Sequence, residues 1–229
     1  TADDTANLRV VVEGGEVVAH IGTIRRHASI MGCTVKVASL GGVATHPESR
    51  GKGYGTALLE DTVRDCWADG VDFIVVSGYR KMYHRYGCRY VGRDWRFVVE
   101  ADRAGDFADA GLAVRAMGDA DVPALSALYR REPVRWLRPP SDFHNALKGH
   151  VMNRPAEILG IYERDHLRAY VIIGPQRKGE DTRQAIMEFA GDRRCVVGVL
   201  GQLMRRGGAE AIDVHVMGYD GLLYDLLVE

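Results

Sequence analysis

The chain has 229 residues, 46% hydrophobic and 27% charged, with a net charge of −1, values typical of one large or two small globular domains. This charge balance argues against a nucleic-acid-binding protein, because such proteins carry a clear basic excess. No apolar stretch approaches the length of a transmembrane helix and no signal segment opens the chain, so we expect a cytoplasmic protein with neither membrane nor nucleic-acid partners.

The four cysteines, Cys33, Cys66, Cys88 and Cys195, form no C-x-x-C pair. This usage is typical of reduced, mostly buried thiols in a cytosolic protein rather than of a disulfide framework. We expect no metal site.

The first part of the chain is dominated by strand and turn signals. Two β-rich runs flank Glu13-Gly14-Gly15, which predicts a β-hairpin. Further strands end near Thr45, where Pro47 and a cluster of glycines stop the pattern.

A helical pattern follows from Thr56 to Asp69, and its predicted buried face comprises Leu59, Val63, Cys66 and Trp67. The charged residues between them, including Asp61 and Asp65, are expected to point away from the core. Residues 71–78 form a continuous apolar run, which predicts a buried strand parallel to its predecessor. A short helix is predicted over residues 80–86.

The second half repeats this order of hairpin, strand, loop, helix, glycine and strand, which indicates a tandem duplication. We therefore predict an α/β (α+β) fold with two similar units, a first domain over residues 1–100, a linker over 101–111 and a second domain over 112–229. The second copy has a strand and helices before its hairpin and the first has none, so we expect the first copy to lack its opening elements in this chain.

The glycines Gly51, Gly53 and Gly55 occupy alternate positions just before the predicted helix. Without Cβ atoms, such a loop can curl with its N–H groups inward and approach a ligand closely. The helix N-terminus favours an anion, and Arg50 and Lys52 add positive charge. The sequence therefore predicts a phosphate-binding loop, although a merely tight turn is the alternative.

Spacing excludes the two common nucleotide motifs. A Walker A loop needs a lysine followed by serine or threonine at its end, whereas Lys52 comes too early. The dinucleotide fingerprint needs a third glycine at the positions held by Thr56 or Leu58.

The wider pattern resembles a known family. The stretch "RGKGYG" fits R/Q-x-x-G-x-G/A and follows "VATHPE", which is similar to the acetyl-CoA-binding motif of the GCN5-related N-acetyltransferase (GNAT) superfamily. Further on, "MYHRYGCRY" resembles the family's Y-x-x-x-G-[FY] segment through Tyr83 and Gly87, with Cys88 replacing the usual aromatic.

The resemblance implies two mixed, mostly antiparallel sheets with flanking helices, and acetyl-CoA as cosubstrate. It implies that the main chain of Val43, Ala44 and Thr45 holds the pantetheine arm and the thioester. It further implies that the loop holds the pyrophosphate, through Arg50, Gly51, Lys52, Gly53, Tyr54, Gly55 and Thr56.

Tyr83 stands where the family places the general acid that protonates the leaving thiolate, and a phenol keeps its proton at neutral pH. A packing role is the alternative for this tyrosine. No general base stands out, since His46, Glu48 and His84 lie near the motifs but each fits an exposed loop or helix position better.

The corresponding loop of the second copy is Gly191-Asp192-Arg193-Arg194, which lacks alternate glycines and carries an aspartate where an anion would sit. We therefore expect an active first copy and a degenerate second one. The implied activity is acetyl transfer to a primary amine, which could belong to a small molecule, an aminoglycoside-like polyamine or a protein. A non-catalytic acyl-CoA-binding regulatory module is the alternative, and a homo-oligomer remains open.

Overall fold

The computed structural model describes residues 7–78, 80–151, 154–174 and 182–228. The chain divides into two compact units, of which the first runs to Tyr90 and also includes Pro133–Leu137, and the second contains Val91–Glu132 and Arg138–Glu229. Each unit is built on a mixed sheet in which most neighbouring strands are antiparallel. The predicted α/β fold class is confirmed.

The first unit has the strand order β1-β2-β3-β4, with one further strand paired to the end of β2. Numbered along the chain, its elements are β1 (Leu8–Glu13), β2 (Glu16–Ile30), β3 (Cys33–Thr45), α1 (Tyr54–Ala68), β4 (Phe73–Val76), α2 (Lys81–Arg85) and β7 (Val134–Trp136). The predicted hairpin joins β1 to β2 through Gly14 and Gly15, which both have positive φ. As predicted, β4 runs parallel to β3.

Helix α1 covers one face of this sheet, but with a different set of residues from the one predicted. Its buried residues are Leu58, Leu59, Thr62 and Cys66, whereas Trp67 is 84% exposed. Asp61 and Asp65 face the sheet after all, because Arg9 on β1 donates to both, at 2.7 and 2.8 Å. Burial of each leucine stabilises the fold by about 1.5–3 kcal/mol, whereas a partly exposed ion pair contributes about 0–1 kcal/mol. The apolar contacts therefore dominate the docking of α1.

The opposite face of this sheet carries a row of exposed apolar side chains. Strand alternation and cross-strand register put them on one side, and they are Leu8, Val10, Val12, Val17, Ile24, Phe73 and Val75. Among the described residues of this unit, no helix packs on that face.

The second unit has a six-stranded sheet with the order β5-β13-β12-β11-β10-β6 and a two-stranded ribbon, β8-β9. Its strands are β5 (Asp94–Glu100), β6 (Leu112–Ala116), β8 (His150–Val151), β9 (Arg154–Pro155), β10 (Glu157–Glu163), β11 (His166–Ile173), β12 (Arg183–Gly191) and β13 (Ala211–Met217). Its helices are α3 (Val122–Tyr129), α4 (Pro140–Leu147), α5 (Arg193–Gly198), α6 (Leu200–Gly207) and α7 (Gly221–Val228).

Both faces of this larger sheet are covered. Helices α5, α6 and α7 contribute to one apolar cluster, and α3 and α4 contribute to a second cluster that uses the alternate residues of β10 and β11. Helices α5 and α6 follow one another directly and are separated at Val199.

The unit boundary differs from the one expected at residue 100. Strand β5 pairs with β13 along its whole length, from Asp94↔Met217 to Glu100↔Ala211. The alternate residues Trp95, Phe97 and Val99 pack against the core of the second unit. This burial stabilises β5 as a strand of the second unit. Part of the expected linker belongs to the same core, because Ala104 is only 3% exposed.

A buried ion network closes the second unit. The guanidinium of Arg193 donates to Glu132 at 2.6 and 2.8 Å and to Asp220 at 2.9 Å. The side chains are only 8–11% exposed. Burial by itself would lower the pKa of Arg193, but the two carboxylates outweigh it and raise that pKa.

We predict that Glu132→Ala lowers the free energy of unfolding by about 3–5 kcal/mol, because it leaves a buried guanidinium with one partner fewer. Urea denaturation followed by circular dichroism would measure the loss. The control is Glu157→Ala, which removes an ion pair with Arg206 whose side chains are 44–46% exposed and should cost less than about 1 kcal/mol. Equal losses in the two variants would contradict the prediction.

Candidate functional site

The end of β3 is a strand edge without a neighbour. Strand β3 pairs with β4 only from Val37 to Leu40, yet it continues to Thr45. Beyond Leu40 its second edge therefore has no strand partner among the described residues. The predicted pantetheine-binding residues Val43, Ala44 and Thr45 all lie in this stretch, so their main chain is available on one side.

A β-bulge reshapes the same stretch. The pairs Gly22↔Gly41 and His20↔Ala44 leave two residues of β3, Gly42 and Val43, opposite the single residue Ile21. Gly42 takes a φ of 55°, which is a left-handed conformation that favours glycine. The bulge interrupts regular pairing at the point where the sequence places thioester binding.

The glycine loop leads from this strand into α1. Gly51 and Gly53 have φ values of 81° and 83°, and a Cβ built on either would have no atom within 4 Å. The side of each glycine where a Cβ would stand therefore faces open space, which a ligand-binding loop requires. Gly55 differs from these two, since a Cβ there would lie in ordinary van der Waals contact with Thr45 Oγ1 at 3.6 Å, which places this glycine against the end of β3.

The loop presents a run of unused hydrogen-bond donors. Within the described part of the chain, no protein acceptor takes the main-chain N–H of Gly51, Lys52, Gly53, Tyr54 or Gly55. Thr56 differs from this set, because its N–H donates to Gly53 O at 3.0 Å. The reason is that α1 begins at Tyr54, two residues earlier than predicted.

Charge in the loop is distributed differently from what the sequence suggests. Lys52 Nζ donates to both carboxylate oxygens of Glu13, at 2.8 and 3.0 Å. This hydrogen bond holds the pKa of Glu13 below its ordinary value and raises that of Lys52. The charge of Lys52 is therefore balanced by Glu13. The expectation that Lys52 adds free positive charge to the loop was wrong.

A cleft of about 400 Å³ opens beside the strand edge, and its lining comprises Ala44, Thr45, Arg50 and Arg80. Arg50 Nε donates to Thr45 O at 3.4 Å, which folds this side chain toward the end of the strand. Sequence analysis did not single out Arg80. The available signal was its position at the start of the predicted helix that carries Tyr83.

Tyr83 lies in the core of the first unit. It is 3% exposed and shares an apolar cluster with Leu40 and Leu59, against which Val43 and Tyr54 also pack. Gly78 makes room for its ring, since a Cβ there would lie 2.8 Å from Tyr83 Cε2. The fold thus brings Tyr83, the strand end and the loop around one cluster.

The three residues considered as general bases are not brought together. His46 and Glu48 are exposed in the turn before the loop, and His84 Nε2 lies 3.1 Å from the hydroxyl of Tyr90. Among the described residues, none forms a group of three or more His, Cys, Asp or Glu side chains suited to a metal ion.

The matching corner of the second unit is filled by its own side chains. The N–H of Gly191 donates to Glu132 Oε1 at 2.9 Å, and Arg193 holds the same carboxylate. Asp192 accepts the N–H of Arg194 at 2.9 Å. In the second unit, a protein carboxylate thus accepts a main-chain hydrogen bond from the loop that follows the strand. In the first unit, the main-chain N–H groups of the corresponding loop have no acceptor among the described residues.

No helix of the described residues has the length and apolar character needed to cross a membrane. The cysteines Cys33, Cys66, Cys88 and Cys195 are all free thiols.

Comparison with solved structures shows the same fold over nearly the whole chain. A GCN5-related N-acetyltransferase from Anabaena variabilis superposes with a TM-score of 0.78 at 18% identity, covering 97% of this chain and 58% of that protein. A GCN5-related N-acetyltransferase from Kribbella flavida gives 0.75 at 20% identity, with 98% and 57% covered. N-myristoyltransferase from Saccharomyces cerevisiae, solved with bound myristoyl-CoA, gives 0.57 at 10% identity, with 90% and 62% covered.

This chain therefore spans little more than half the length of these structures. A comparison with curated protein sequences finds no match. The family model described as "Acetyltransferase (GNAT) domain" matches residues 2–91, which include the unpaired end of β3, the glycine loop and Tyr83. The resemblance drawn from "RGKGYG" is thereby confirmed for this segment, since residues 2–91 are similar to a GNAT acetyltransferase domain.

Proposed function

We propose that this protein is an acyltransferase of the acetyl-CoA-dependent kind, which moves an acetyl group to a primary amine by direct attack on the thioester. The observation that carries the proposal is the succession of two unused sets of main-chain groups along the chain. The free edge of β3 beyond Leu40 borders a cleft lined by Ala44, Thr45, Arg50 and Arg80, and the five unused N–H groups of residues 51–55 follow Arg50 directly. An extended arm that ends in a diphosphate matches both.

In this proposal the loop holds the diphosphate. Successive N–H groups at the start of α1 favour an anion, both as donors and through the helix dipole. The open space beside Gly51 and Gly53 admits the phosphates close to the backbone. Because Lys52 is paired with Glu13, the main chain and Arg50 supply most of the attraction.

The bulged end of β3 positions the reacting group. Bound acetyl-CoA supplies an activated acyl carbon and a thiol leaving group. The main chain of Val43, Ala44 and Thr45 would hold the arm as an added strand does, and an N–H at the bulge would stabilise the negative charge that develops on the thioester oxygen.

Tyr83 completes the proton balance. The amine nitrogen forms the new bond to the acyl carbon, the carbon–sulfur bond breaks, and the hydroxyl of Tyr83 would give its proton to the departing sulfur. The amine gives up its own proton to solvent, since the described residues show no base in place, and the phenolate of Tyr83 regains a proton from solvent. The ring of Tyr83 packs tightly against Gly78.

The second candidate is a non-catalytic acyl-CoA-binding module, which the lack of an arranged base among the described residues favours. The acceptor could be a small amine, an aminoglycoside-like polyamine or a protein amine, with no nucleic acid or membrane involved. The second unit would be the degenerate copy, because Glu132 already occupies the donors at its corner. A cytoplasmic location and reduced cysteines are part of the same proposal.

Calorimetry with acetyl-CoA, combined with a thiol-release assay on a panel of primary amines, tests the proposal. Binding together with amine-dependent thiol release is the expected result. Binding without release for any amine would favour the regulatory module, and no binding would refute both candidates.

We predict that Gly53→Val abolishes coenzyme A binding, because the valine side chain fills the open space beside the loop and cannot keep a φ of 83° without strain. Calorimetry measures the affinity. The matched control is Gly70→Val at the other end of α1, where φ is 66° and a Cβ also meets nothing within 4 Å. Equal affinity in Gly53→Val and wild type would refute the cradle.

We predict that Tyr83→Phe lowers turnover about 100-fold and leaves coenzyme affinity unchanged, because the ring still packs but the proton donor is gone. Thiol release under saturating acetyl-CoA measures turnover. The control is Tyr86→Phe, which removes a hydroxyl from a ring that is 38% exposed and should have little effect. Near-normal turnover in Tyr83→Phe would leave Tyr83 with a packing role alone.

A further inference from the structure

Two guanidinium groups stand on the two walls of the cleft. Arg50 follows the end of β3 and Arg80 follows the end of β4, the two strands that cease to pair after Leu40 and Val76. Both arginines line the same cleft of about 400 Å³. The glycine loop belongs to the β3 wall only, so that Arg80 is the cation of the opposite wall.

These two charges have no counter-ion among the described residues that line the cleft. The described residues that line the cleft include no acidic side chain. Within the described part of the chain, Arg80 forms no side-chain hydrogen bond or ion pair, and Arg50 donates only to a main-chain carbonyl. By contrast, Lys52 on the same loop is paired with Glu13. The cleft therefore keeps two uncompensated positive charges that a ligand with more than one phosphate would neutralise.

We infer that Arg80 is a second phosphate-binding residue of the coenzyme site, acting from the wall opposite the glycine loop. This inference rests on the proposed function. The loop N–H groups and Arg50 would bind the ligand from one wall, and Arg80 would contact a phosphate from the other. A guanidinium suits this task because its fixed fork of donors matches phosphate oxygens. The partner is either the diphosphate or the 3′-phosphate of coenzyme A, which share the same chemistry.

The test compares wild type with Arg80→Gln in the full chain, using calorimetric titration with coenzyme A and with dephospho-coenzyme A. We expect Arg80→Gln to weaken coenzyme A binding about tenfold, as the loss of one charge-assisted contact does. If the weakening disappears with dephospho-coenzyme A, Arg80 binds the 3′-phosphate. If it persists, Arg80 binds the diphosphate.

The matched control is Arg85→Gln, which removes an exposed arginine at the other end of α2 that does not line the cleft. Thermal unfolding of each variant shows whether the fold is intact, and we expect both midpoints to equal that of wild type. Equal affinity in Arg80→Gln and wild type would overturn the inference, as would an equal loss in Arg85→Gln. Failure of wild type to bind coenzyme A would instead refute the proposed function.

Discussion

The separation of β3 from β4 after Leu40 is the constraint on which the rest of the first unit depends. A buried strand must satisfy its N–H and C=O groups, and the last residues of β3 do so on one side only. Water can serve the other side while the cleft is open. An extended ligand that offers amide groups can replace that water at little net cost, because protein–ligand and protein–water hydrogen bonds are of similar strength. The bulge at Gly42 and Val43 lies in the same stretch of β3, on the edge that pairs with β2, and the turn into the glycine loop follows it.

The two units offer an internal comparison of what a strand–loop–helix corner requires. In each, a strand leads through a loop and a helix to a parallel neighbour, β3 to β4 and β12 to β13. In the second unit, Glu132 accepts the Gly191 N–H and holds Arg193. In the first, the donors at residues 51–55 find no such carboxylate among the described residues. The connection itself can therefore be built without alternate glycines, and their presence in the first unit indicates a requirement beyond the fold.

Much of this arrangement could be predicted from local sequence. The hairpin at Gly14-Gly15, the parallel β4 and the loop after Thr45 depend on turn residues and short-range patterns, which a single sequence displays. The buried face of α1 could not be predicted as well, because helical periodicity placed Trp67 on that face and left Leu58 off it. Arg9, which pairs with Asp61 and Asp65, lies on the distant strand β1. The pairing of Lys52 with Glu13 and the position of Arg80 also depend on long-range contacts. The place of β5 depends on a partner strand more than a hundred residues away.

The path of the chain has a consequence for how the units form. It leaves the first unit after Tyr90, returns for Pro133–Leu137 and leaves again, so that β7 reaches β2 only after β5 and β6 have been synthesised. On a ribosome the first sheet thus waits for its last strand while two strands of the second are already exposed. Truncation of the chain at one position does not separate the units. A truncation after residue 100 removes β7 from the first sheet and separates β5 from its partner strand β13. The two units therefore have to be defined by contacts, not by a single boundary in the sequence.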